Sequence, residues 1–461
     1  MDQAAIERLR HYLAQLPPGT QALLMREFER TLARGEDTAV AELVLDQLRQ
    51  VVRKANDNAR ARSGDAERLV FAPLEPFLVD AGAQISPGCI RRASLEAVWQ
   101  WLAHDALPDQ TNSLVAALAA GDPGDIAMRA YRAAAGEAII RVAASGIDPR
   151  GDGRRSQARL ASPKVIEDLP AIGAVLAAHE ALDAFADRIP DTIVTLGGAQ
   201  TRVITDALGE PALQAPAVLP FALALLMARL ESRWQLIRLP IHAAGSDDEA
   251  RVAAVPQGIA VTMVLHDLSR ACAALCADIR RGRLRDIADR LKALHDGVRG
   301  LRTELDLRGD SVWGRHLAAI RKEISGGLEA EIEGVPGRVR RLLRQRPDRE
   351  ITATARLDPG EIDETADMIA FVAACRGVAG ELAISEVTQR AYSELLQYVE
   401  RASVGLVQSL KAGEPRVRAY RQAQMAAAVR FCEPLFGADY AALMARSAEN
   451  ALAERSVPRA G

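Results

Sequence analysis

Lysine and aromatic residues are scarce in this chain. Among 58 basic residues in a total of 461, only Lys54, Lys164, Lys292, Lys322 and Lys411 are lysine, and aromatics make up 4%. With so few aromatic and β-branched side chains, a core built on sheets is excluded. Glycine, proline and cysteine, at 33, 22 and 5 residues, are too few for a collagen-like, low-complexity or disulfide-scaffold chain. A net charge of −3 leaves no basic footprint, so no nucleic-acid partner is expected. The preference for arginine over lysine runs the whole length, as codon bias in a GC-rich bacterial genome produces.

Long apolar runs are lacking too. Residues 211–228 carry no charge, but Pro211, Gln214, Pro216 and Pro220 interrupt them, and residues 252–266 are short and hold Pro256 and Gly258. A membrane-crossing helix needs about 20 apolar residues, so no transmembrane span is expected. The start, MDQAAIERLRHYLAQL, mixes acids, bases and apolar residues and does not read as a signal peptide. Cys89, Cys272, Cys276, Cys375 and Cys432 lack framework spacing, which fits reduced thiols and a cytoplasmic location.

What is abundant is alanine, about a fifth of the chain, together with leucine. Both are strong helix formers. The expected fold is an all-α, multi-helix array of roughly a dozen or more helices. Capping signals mark several starts: Asp122-Pro123, Ser162-Pro163, Asp358-Pro359, and a capping box from Ser246 to Glu249. The β-branched residues around Gly197-Gly198 suggest one small hairpin over 191–205. Residues 54–65 read as a linker or frayed end, and 146–163 and 345–360 as domain boundaries. The resulting division is 1–62, 63–150, 160–345 and 358–461.

The longest regular feature is a long-helix spine around 260–306. Leu265, Leu268, Cys272, Leu275 and Ile279 form one seam; Leu284, Ile287, Leu291, Leu294, Val298, Leu301 and Leu305 form another, with Gly282 between them. Either one helix changes its buried face there or two helices meet at a turn. A coiled coil is the alternative to packing inside the monomer, but the flanking residues lack the charge pairs that coiled coils use, so internal packing is expected.

No motif fixes a reaction. No lysine follows a glycine, so there is no Walker loop; no Gly-x-Ser-x-Gly occurs. His-Asp dipeptides at 104–105, 266–267 and 295–296, with His179, Asp183 and His242, are the candidates for catalytic work; the dipeptides and the His179–Asp183 pair are read first as solvated side chains. Cys272 and Cys276 share a helical face without further ligands to complete a four-coordinate site, so no cofactor and no stoichiometric metal is expected. Arg338, Arg340, Arg341 and Arg344 lie on a short basic amphipathic helix that suits anionic lipid or phosphate. Neighbouring acids at 329–333 and 348–350 are expected to balance it. The leading reading is a cytoplasmic helical protein that acts through contacts with another protein or with itself, not an enzyme. An enzyme with a helical cavity using His and Asp residues, and a peripheral membrane protein docking by the basic helix, are the alternatives.

Overall fold

The computed structural model describes residues 3–34, 38–80, 85–121, 124–145, 158–284, 286–352, 354–412 and 414–453. The protein is 81% helical, and its sheet is a two-stranded parallel pair, Leu78–Val79 with Ile90–Arg91. The chain forms two compact units: Met1–Gly82 with Cys89–Leu182, and Ala83–Gly88 with Asp183–Gly461.

In the first unit, helices Gln3–Gln15, Pro18–Arg34 and Thr38–Phe71 pack around Leu13, Leu48 and Val51. The buried Gln21 donates its Nε2 to the carbonyls of Leu13 and Leu16, at 2.9 and 3.1 Å, and so satisfies the end of the first helix. Residues 54–65, expected as a linker, lie inside the continuous helix Thr38–Phe71. That stretch has no proline and one glycine, so polarity alone suggested a break where nothing forces one. Asp122-Pro123 and most of 146–163 lie outside the described residues. Helix Asp125–Ser145 meets helix Pro163–Arg188 at two glycines: a Cβ on Gly136 would stand 2.9 Å from the Ala177 amide nitrogen, and one on Gly173 would stand 2.8 Å from Ile140 Cγ1. A knot of the half-buried Arg91 with the buried Ser94 and Asp168 ties the small sheet and helix Ala93–Trp101 to Pro163–Arg188. In it Ser94 Oγ donates to Asp168 at 2.6 Å and Arg91 pairs with the same carboxylate at 2.9 Å.

In the second unit, the uncharged run 211–228 breaks at its prolines into Pro211–Gln214 and Leu219–Arg229, as expected. The hairpin over 191–205 does not form. Residues Gly198–Leu208 are helical, because Thr201, Ile204, Ala207 and Leu208 repeat at helical spacing and are all buried. Upstream, Ile193 makes a single parallel bridge to Leu230, with its N–H donating to the Arg229 carbonyl at 2.8 Å. The capping box also differs from expectation. Asp248 caps helix Glu249–Ala253 by accepting from Arg251 N at 2.9 Å, whereas the buried Glu249 accepts the Arg308 amide at 2.8 Å. Asp358 caps Pro359–Val378 as its sequence indicates, accepting from Gly360 N at 2.9 Å.

The spine is two helices, Ile259–Arg280 and Ile287–Glu304. They meet at a turn in which Gly282 and Asp286 take left-handed backbone, with φ of 69° and 56°. Apart from the half-buried Leu284, both seams are buried within the monomer, and Ile259–Arg280 packs in turn on the long helix Val312–Leu343. Two helices are long and apolar enough to cross a membrane, Pro163–Arg188 and Pro256–Arg280, but 56% and 50% of their most apolar stretches is buried inside the protein. Such burial is that of core helices, and no clear transmembrane span is present among the described residues.

Candidate functional site

Two concave features stand out, one in each unit. The first is a cleft of about 410 Å³ in the second unit, where the Glu231–Trp234 segment faces helices Ile259–Arg280 and Ile287–Glu304. Its formation depends on two glycines. A Cβ on Gly297 would lie 2.5 Å from Leu268 Cδ2, and one on Gly300 would lie 2.3 Å from the Trp234 ring. Both glycines let the second helix settle onto its neighbours. Gly300→Ala is therefore expected to displace the indole, lower stability by about 1–3 kcal/mol and shift tryptophan fluorescence. An unchanged spectrum and unfolding midpoint would refute this close approach.

The cleft is polar and of mixed sign. Glu231, Asp267, Asp289 and Asp296 line it with Arg233, Arg290 and Lys292. Asp267, largely buried, pairs with Arg233 at 2.9 Å and Arg270 at 2.6 Å, and Arg290 pairs with Asp278 at 2.9 Å. Trp234 forms part of the wall, with the Arg238 guanidinium 5.1 Å from its ring centroid. Arg238 is itself fixed by Glu304, through Nε to Oε2 at 2.8 Å.

The His-Asp dipeptides divide between environments, since adjacent helical residues point about 100° apart. Asp267 and Asp296 both reach the cleft because the chain turns back at Gly282. His295 stays beside it and donates Nδ1–H to Asp296 at 3.0 Å. His266 turns away to meet His316 of the facing helix, edge to face with ring centroids 5.2 Å apart, and Ser269 Oγ lies 2.9 Å from His316 Nε2. In the first unit, His104 is exposed and Asp105 pairs with Arg159. His179 and Asp183 do not form the expected solvated pair. His179 is buried and its Nδ1 bonds the Leu176 carbonyl at 2.8 Å, whereas Asp183 is exposed. His242 is exposed.

Burial holds both His266 and His316 below the ordinary histidine pKa, and at His266 the neighbouring His316 adds to the effect. As pH falls, the unfolded chain takes up these protons first. The part of the stability that depends on this pair is therefore full above about pH 6.5 and is lost as pH drops through that value toward the lowered native ones. The expected result is a lower urea midpoint at about pH 5.5 than at about pH 7.5, with the difference reduced in His316→Gln. An equal drop in both proteins would remove the pair as its source.

The second feature is a groove of about 670 Å³ in the first unit, between helices Pro108–Ala119 and Asp125–Ser145. Its floor is Leu114, Ala117, Ala127, Ala130, Tyr131 and Ala134, and Asp109 is the one ionisable carboxylate among its lining residues. Thr111 and Tyr131 share a buried hydroxyl hydrogen bond of 2.7 Å, and burial raises the Tyr131 pKa. Ile126, on the same helix as Tyr131, is 81% exposed.

The basic helix is balanced, though not by the acids next to it in sequence. Arg338 pairs with Glu364 at 3.5 Å, Arg341 with Glu361 through Nε at 2.9 Å, and Arg340 with Glu394. Those partners come from Pro359–Val378 and Ser385–Ala412. Glu333 pairs instead with Arg390, and Asp348 with Arg421. Arg344 is exposed. Among the described residues no cluster of three or more His, Cys, Asp or Glu side chains is placed to hold a metal. Set against models of known protein families, characterised proteins and solved structures, the chain matches none.

Proposed function

We propose that the chain is a cytoplasmic helical protein that acts through contacts with another protein, as a scaffold or a regulatory partner. The groove between Pro108–Ala119 and Asp125–Ser145 carries this reading. A floor of alanines lets a partner backbone approach closely, and an amphipathic helix laid between two helices is a common way to fill such a groove. Asp109 at the edge favours a basic residue on the incoming helix. The five thiols, none in a disulfide, fit the cytoplasm. The test is capture at native expression levels with the parent chain and with Ala130→Glu, an exposed floor position whose change leaves the core intact. A partner retained by the parent and lost with Ala130→Glu supports the reading. Equal retention by both overturns it.

A second reading, an enzyme with a helical cavity, is favoured by the arrival of Asp267 and Asp296 at one cleft. Its lining of carboxylates, arginines, lysine and an indole suits a small polar molecule bearing both charges. Thermal stabilisation by such a compound, abolished by Lys292→Ala, is the expected result. A contact of Arg338, Arg340, Arg341 and Arg344 with anionic lipid is a third proposal, weakened by the carboxylates that already hold three of them. Flotation with anionic vesicles in low and high salt tests it.

A further inference from the structure

The charges that line the cleft of the second unit fall into two groups. Arg233 is held by Asp267, which also takes Arg270, and Arg290 is held by Asp278. Glu231, Asp289 and Lys292 form no ion pair with any described residue, and Asp296 takes only the His295 ring N–H. Three carboxylates and one ammonium therefore line the cleft without an ionic partner. Asp289, Lys292 and Asp296 step by three and four residues, so they share one face of Ile287–Glu304. The two aspartates stand two turns apart, about 10 Å along the helix axis, with Lys292 between them. Asp289 and Lys292 are exposed, and the Asp296 side chain is 46% exposed, so all three are open to an incoming ligand. Deeper in the cleft the lining is apolar, with Leu268, Leu294 and Gly297 buried beside the charged row.

We infer that the cleft binds a free basic amino acid, which carries a carboxylate, an α-ammonium and a second cation at the end of an aliphatic chain. The inference rests on the reading of this cleft as a small-molecule cavity and names the class of that molecule. A zwitterion of net charge zero answers Lys292 and one aspartate and leaves the other aspartate unmet; a second cation meets it. The α-carboxylate pairs with Lys292, the α-ammonium with one aspartate and the side-chain cation with the other. Hydrogen bonds of about 3 Å at each end let a chain of four methylenes bridge the two turns. The methylenes lie along Leu268 and Leu294, which take them out of water. An acidic amino acid is rejected, because its second carboxylate would enter among Glu231, Asp289 and Asp296. The volume of about 410 Å³ is that of a small-molecule site.

The test is calorimetric titration of the full chain at fixed ionic strength with L-lysine, with norleucine, which lacks the terminal ammonium, and with cadaverine, which lacks the carboxylate. L-Lysine is expected to bind, and norleucine and cadaverine each to bind about tenfold more weakly or less. Asp289→Asn and Asp296→Asn should each weaken lysine by a similar factor, and Lys292→Ala should bring lysine down to the level of cadaverine. Asp109→Asn, in the first unit, should change nothing. Circular dichroism checks that the variants fold, and the three ligands on the parent chain decide the matter without them. Norleucine binding as tightly as lysine overturns the basic class and leaves the cavity reading in place. Cadaverine binding as tightly as lysine removes the carboxylate contact and overturns the amino acid. Absence of lysine binding overturns the inference, and absence of norleucine and glutamate binding as well overturns the cavity reading with it.

Discussion

Replacing Leu291 with alanine is expected to lower stability by about 2–5 kcal/mol, and replacing it with aspartate to abolish folding. Leu291 is fully buried in the second seam, within a single chain, together with Leu294, Val298 and Leu301. Truncation to alanine leaves a cavity between Ile287–Glu304 and the elements it packs against. An aspartate there would have no cation and no water. A self-association seam predicts the opposite outcome, a folded monomer that has lost only its partner. Circular dichroism and light scattering on Leu291→Asp separate the two. Loss of helicity supports internal packing, whereas retained helicity with a halved mass would reverse the assignment.

The second large effect is expected at Arg421. Its guanidinium, 4% exposed, donates to the Arg346 carbonyl, to Asp348 at 3.1 Å and to Gln424 Oε1 at 3.1 Å. Gln424 in turn donates to the carbonyls of Leu342 and Arg344 at 3.0 and 3.1 Å. These bonds satisfy the end of Val312–Leu343 and anchor the segment that follows it to helix Arg418–Phe436. Arg421→Leu removes the donor and leaves the Arg346 carbonyl and the part-exposed Asp348 carboxylate without it, at a cost of about 1–3 kcal/mol. The carboxyl of Asp348 is held below its ordinary pKa, first by the Glu414 amide and then by Arg421. Its contribution is therefore present above the usual aspartate range and is lost as pH falls through the lowered native value. Chemical unfolding of Arg421→Leu at neutral and acid pH checks both points. The variant should show a smaller acid-side loss than the parent, and a midpoint equal to the parent's at neutral pH would defeat the argument.

Local order was legible in the sequence wherever a single element decides it. The leucine steps from 265 to 305, the prolines at 211, 216 and 220, and the cap at Asp358 each fix their structure within a few residues. The stretch around Gly197 misled because Val203 and Ile204 have high strand preference, yet burial of Thr201, Ile204 and Leu208 on one side settles the matter in favour of helix. The spine allowed either one bent helix or two, and Gly282 resolves it. What the spacing did not contain was partner choice over distance. Glu361, Glu364 and Glu394 hold the arginines of the basic helix, and Arg421 reaches Asp348 from 73 residues away. The cleft was hidden for the same reason, since Trp234 meets Gly300 only after the intervening helices have packed.

The turn at Gly282 also bears on the order in which the chain assembles. Ile259–Arg280 and Ile287–Glu304 are joined by a handful of residues, so their seams meet after closing a short loop, which is rapid and loses little chain entropy. The Arg421 contacts bridge 73 and 75 residues and need most of the unit already in place. Nucleation at the helical pair followed by late locking at Arg421 then gives two distinct kinetic signatures. Leu291→Ala should slow refolding, and Arg421→Leu should leave refolding nearly unchanged while accelerating unfolding. Chevron plots of the two variants read this directly, and the reverse assignment of slopes would place the nucleus at the C-terminal helices.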